Sequence, residues 1–212
     1  MDRFSFFFAF YGLILGLAVT ELLSGLAGYA RERRIQGLER QTALLALAVF
    51  LFVCATWIDA WDTLQGISLN FEGLWAPILT ATFYYLAACM VFPRNLSEYD
   101  RLEDYFSSRK SFIASMLLAA EIAVSITFLP AYGQTLEQRP AVFWLWQVPY
   151  KIIIIGSFAA LIFLRDRRAI LAALWMLIAL ATIPYWSHGG IQHWIDARFD
   201  EPQFQAPVHP RH

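Results

Sequence analysis

From Ala141 to Leu164 the chain carries a single charged side chain, Lys151, in a run otherwise fit only for lipid. A lysine at the centre of a bilayer costs from about 2.5 to more than 10 kcal/mol, so it must face the protein interior and find a partner. The partner of choice is Glu121, which stands alone among apolar residues between Phe112 and Ala131 at a similar depth. A chain containing this run can fold only around that requirement.

The run is one of several. Apolar residues make up 58% of the sequence and charged residues 16%, against roughly 45 to 50% and 25% in a soluble domain. The excess falls in blocks of about 18 to 25 residues, the length that crosses a hydrocarbon core as a helix. None of the blocks shows the alternation of a barrel strand, so helix is the only spanning option. Six spans follow, over residues 4–28, 43–61, 75–92, 112–131, 141–164 and 169–187. The expected fold is all-α, a polytopic integral membrane protein with six transmembrane helices in one bundle. It forms a single domain over residues 1–198, with a polar, flexible tail over 199–212. The first apolar run lacks a basic leader and is too long for a signal peptide, so it reads as a retained span.

Charge sets the expected orientation. Loops 1, 3 and 5 hold Arg31, Arg33, Arg34, Arg40, Arg94, Arg101, Arg109, Lys110, Arg165, Arg167 and Arg168, eleven of sixteen basic residues. By the positive-inside rule these loops are cytoplasmic and both termini lie outside. The excess of arginine over lysine points to a bacterial inner (plasma) membrane. A net charge of -1 argues against a nucleic-acid partner, leaving the lipid bilayer as the surrounding medium.

Small residues recur at every fourth position of the first span: Gly12, Gly16, Thr20, Ser24 and Gly28. That spacing keeps them on one helix face, where they allow a neighbouring helix, a second copy or a membrane partner to approach closely. Glu21 lies beside this stripe and joins Glu121 and Lys151 as a candidate for the polar core. Prolines at 130, 149 and 184 each remove an amide, freeing the carbonyls of Ile126, Leu145 and Leu180. Pro149 bends the helix beside Lys151, so Gln147 and Tyr150 complete the candidate polar set. Tyr84 and Tyr85 fall mid-membrane, where a buried hydroxyl needs a partner. Residues 97–106 read as a short helix lying on the inner surface.

An outer-face cluster of Trp57, Asp59, Trp61, Asp62 and His188 is the second candidate site. Tryptophans anchor at interfaces, but seven of the eight fall toward the outer face in this topology. Some of those rings are therefore expected to line an outward-facing cavity. No metal or cofactor is expected, since Cys54 and Cys89 read as small core residues and no intramembrane histidine pair could hold a haem. Absence of a GxSxG, HExxH, P-loop or Rossmann pattern leaves an enzyme without identifiable machinery. Two readings remain: a small protein moving an ion, proton or small solute through a core of Glu and Lys, or a structural, assembly or sensory membrane subunit in which the pair sets helix register.

Overall fold

The computed structural model describes residues 3–31, 39–65, 71–93 and 102–186. In chain order the helices are α1 (Arg3–Arg31), α2 (Arg40–Leu64), α3 (Phe71–Cys89), α4 (Leu102–Thr127), α5 (Leu129–Gln138), α6 (Pro140–Val142), α7 (Val148–Phe163) and α8 (Arg167–Trp186). A π-helical segment, Phe143–Gln147, joins α6 to α7. Among the described residues four stretches are long and apolar enough to cross a membrane: Phe4–Arg31, Arg40–Trp61, Glu103–Thr127 and Pro140–Phe163. The apolar part of α3, Gly73–Cys89, is shorter. The protein is thus an all-α, membrane-spanning helical bundle. The expected tail over 199–212 and His188 lie outside the described residues.

Neighbouring contacts close the long helices into a ring. Helix α1 packs on α3, α3 on α4, α4 on α7, α7 on α8, α8 on α2, and α2 on α1, with further contact between α2 and α4. The interior holds Leu15, Val49, Val53, Tyr84, Leu117, Ile154, Phe158 and Leu174. The Phe52 and Phe158 rings meet there with centroids 5.1 Å apart. Apolar side chains also cover the outside, among them Phe6, Leu13, Ile152 and Phe163. Exposed apolar surface on this scale suits lipid rather than water.

Two expectations need correction. Helix α1 does not pack through its small stripe: the face buried against the bundle carries Phe7, Tyr11, Leu15, Ala18 and Leu22. Gly16, Thr20 and Ser24 are exposed, and a Cβ at Gly16 or Gly28 would meet nothing within 4 Å. Close approach occurs instead at Gly25, where a Cβ would lie 2.5 Å from the Phe92 ring, and more modestly at Gly12 beside the Trp57 indole. Second, the described part of the expected surface helix, from residue 102, is the start of α4. The Tyr105 hydroxyl there donates to the Met90 carbonyl at 2.9 Å, tying the start of α4 to the end of α3. The fourth span is disturbed within a turn before Pro130, as the missing amide leads one to expect. It stops at Thr127 and restarts as α5, with Pro130 in the first turn, where its missing amide would have been unsatisfied anyway.

One end of the bundle gathers the residues flanking loops 1, 3 and 5. Arg167 at the start of α8 pairs with Glu39 at 3.5 Å and with Glu103 at 3.8 Å. Lys110 Nζ donates to the Leu164 carbonyl, and Ser111 Oγ to that of Ile162 at 3.0 Å. The Asp166 carboxylate caps α8 by accepting the Ala169 amide at 2.9 Å. These contacts set the helices in up-and-down alternation. The polar site lies toward the other end.

Candidate functional site

Two interrupted helices build the site. Glu121 lies on α4, about 9 Å of helix before the break after Thr127. Lys151 lies in the first turn of α7, directly after the π-helical segment. Pro149 has no N–H to give the Leu145 carbonyl, and the helix answers by widening just before it: the Val148 amide donates to Phe143, five residues back. Such π-turns are frequent at functional sites. The distortion carries Lys151 to Glu121.

The two side chains meet with Nζ and Oε1 2.5 Å apart. Glu121 keeps 4% of its side-chain exposure and Lys151 keeps 22%, so the pair is reached from the lysine side. Tyr132, on α5 just past the break, lies within electrostatic reach of Lys151. Asp59 on α2 lies within electrostatic reach of Glu121, Tyr132, Tyr150 and Tyr11. Four helices therefore contribute to one charged neighbourhood. Desolvating an unpaired charge in the interior would cost several kcal/mol, so Glu121 and Lys151 depend on each other, whereas Asp59 is exposed and carries the same sign of charge as Glu121.

Tyrosines and threonines extend the site. Thr56 donates to the Tyr84 hydroxyl at 3.2 Å, giving the fully buried Tyr84 its partner. The Tyr150 hydroxyl donates at 2.8 Å to the carbonyl of Leu180, the group that Pro184 leaves without its helical donor. Gln147 Nε2 lies 3.4 Å from Thr135 Oγ1 on α5, while its Oε1 is buried without a partner. A narrow cleft beside the site is lined by Tyr11, Thr56, Ala60, Thr80, Thr127 and Phe128 among others, with room for about one water. Below it the interior is closed by Val49, Phe52, Ile113, Leu117, Phe158 and Leu161, all buried.

Of the candidate core residues, Glu121, Lys151 and Tyr150 come to one region, and Gln147 borders it through α5. Glu21 does not join them: it is exposed on α1 and is absent from the groups acting on Glu121 or Lys151. Asp59, assigned from sequence to the outer cluster, belongs electrostatically with the pair. Trp57 and Trp61 are exposed and meet the rings of Phe4 and Phe8 edge-on or tilted on the surface of α1 and α2. No tryptophan lines this cleft. The Asp62 side chain, like His188, lies outside the described residues. Among the described residues no three His, Cys, Asp or Glu side chains come together as metal ligands.

Tyr132, Thr135 and Thr56 were missed in the sequence. The usable signal for Tyr132 was its place two residues after Pro130, where a restarted helix aims its first turn back at the break.

Fold and site together define a multi-pass helical membrane protein with a buried Glu–Lys ion pair in its interior. No protein-family model matches the chain, and no curated protein or solved structure shows significant similarity to it.

Proposed function

We propose that this chain is a six-span protein of a bacterial inner membrane that moves a proton or small ion through the core around Glu121 and Lys151. The observation carrying this reading is the placement of the pair: a costly buried charge pair joins Glu121, about two turns before α4 is interrupted, to Lys151, just after a π-turn. Transporter sites are commonly built from interrupted helices of this kind. The six-span count is supported by α3 and α8, which complete the ring. Each buries one face in the common core while Trp75, Leu79 and Leu86, or Trp175, Met176 and Ile183, remain exposed on another.

A second reading, a structural, assembly or sensory subunit, is favoured by one specific observation. The seal of Val49, Phe52, Leu117 and Phe158 leaves the polar groups confined toward one end, as a register-setting pair would be. Flux decides between the two. Proteoliposomes carrying the wild type should dissipate an imposed pH, sodium or potassium gradient, and a folded Glu121→Gln/Lys151→Met protein should not. A wild type that passes none of these ions overturns the transport reading in favour of the structural one.

A further inference from the structure

Among the described residues, the end of the bundle opposite the polar site carries more positive charge than its acids neutralise. Lys110 is buried against the last carbonyls of α7, where a helix terminus attracts a cation. Arg165 follows directly and lies within electrostatic reach of Lys110. Arg109 and Arg168 are exposed at the same end. Acids nearby are already engaged: Glu39 and Glu103 with Arg167, and Asp166 with the Ala169 amide. Asp104 lies about 9 Å further along α4 from Lys110. Arg109, Arg165 and Arg168 make no ion pair among the described residues.

Immediately toward the membrane the surface turns apolar. Phe163, two residues before Arg165, is the most exposed large hydrophobic side chain described, at 80%, and Phe112 is also exposed. The seam between their helices is fixed by Ser111 on Ile162 and Lys110 on Leu164. Cations stacked above an apolar wall match an amphiphile with a negative head. Basic pockets between membrane helices bind acidic headgroups by this logic. The positive-inside rule explains why the loops are basic, but it asks only for charge. It does not ask that like charges crowd one seam in excess of the described acids beside them.

We propose that the α4–α7–α8 seam binds an anionic phospholipid, its phosphate on Arg165 and Arg168 and its acyl chains along Phe163 and Phe112. Thermal unfolding of the detergent-solubilised full chain, titrated with short-chain phosphatidylglycerol or phosphatidylcholine, tests the assignment. Phosphatidylglycerol should raise the melting temperature and phosphatidylcholine should not. Arg165→Gln/Arg168→Gln should weaken the phosphatidylglycerol effect on the order of 30-fold, from about a fivefold contribution per basic residue. Arg31→Gln, at the same end but across the ring on α1, should leave it unchanged. Equal stabilisation by both lipids, or an equal loss in Arg31→Gln, overturns the proposal, the latter by showing diffuse surface charge. Reproduction of the effect by inorganic phosphate at matched concentration also overturns it, in favour of a free-anion site. Should the double variant not fold, a photoactivatable phosphatidylglycerol in vesicles with the wild type gives the answer. Labelling concentrated on α4, α7 and α8 supports the site, and labelling spread evenly over the helices sinks it. Neither readout depends on ion flux.

Discussion

At the scale of single residues, the Glu121–Lys151 pair makes the sharpest demand. Removing one member strands the other charge in a low-dielectric interior, at a cost of roughly 3 to 5 kcal/mol. Glu121→Gln and Lys151→Met should each reduce folded yield severely, and the double variant should recover much of it, as expected of residues in contact. Equilibrium unfolding in mixed micelles measures this non-additivity, and simple summation would break the assignment of the pair. Tyr150 and Pro184 offer a cleaner cycle. Because Pro184 supplies no amide, the Leu180 carbonyl depends on the Tyr150 hydroxyl. Tyr150→Phe should cost roughly 0.6 to 1.5 kcal/mol. The same change in a Pro184→Ala background should cost less, since an amide is then restored at position 184. An unchanged cost would mean that the hydroxyl does not substitute for the missing donor.

At the scale of elements, the contrast between Gly25 and Gly16 tests which face of α1 meets the bundle. A methyl at Gly25 would press on the Phe92 ring and its Cβ, 2.5 and 2.8 Å away. Gly25→Ala should destabilise by about 1 to 3 kcal/mol. Gly16→Ala meets open space and should be neutral or stabilising by up to about 1 kcal/mol through helix propensity. Thermal unfolding of the two variants in one detergent compares them directly, and the reverse order would return the packing role to the small stripe. The positions of the long helices were legible because lipid demands unbroken apolar runs. The packing face of α1 was not, since every side of a membrane helix is apolar and hydropathy has no contrast to read. Small residues then draw attention by spacing alone, while the larger Phe7, Tyr11 and Leu15 fill the core. The start of α4 was hidden for the opposite reason: the charges from Glu103 to Lys110 depress hydropathy without interrupting the helix. In the site, the cost of burying charge made Glu121 and Lys151 visible. Tyr132 and Asp59 were placed by the break after Thr127 and by the ring of helices, neither of which any local pattern records.

At the scale of the whole molecule, geometry and charge answer separate parts of the topology question. Glu39, Glu103 and Arg167 are linked by ion pairs, and Lys110 holds the Leu164 carbonyl. The helix ends that flank loops 1, 3 and 5 therefore meet at one end of the bundle, which would put those loops on one side of the membrane, whichever side that is. The side itself rests on the basic excess, which the positive-inside rule assigns to the cytoplasm. A reporter active only outside the membrane, fused within residues 65–72 or at Arg139, should give signal. The same reporter within residues 94–101 or at Asp166 should be silent, and a cytoplasm-active reporter should show the complement. Complete inversion at all four sites would overturn the orientation while leaving the bundle intact, because the shared end would have turned as a unit. A mixed result, with loop 3 outside and loop 5 inside, could not be reconciled with Lys110 on Leu164 or Glu103 on Arg167, and the ring itself would have to be redrawn.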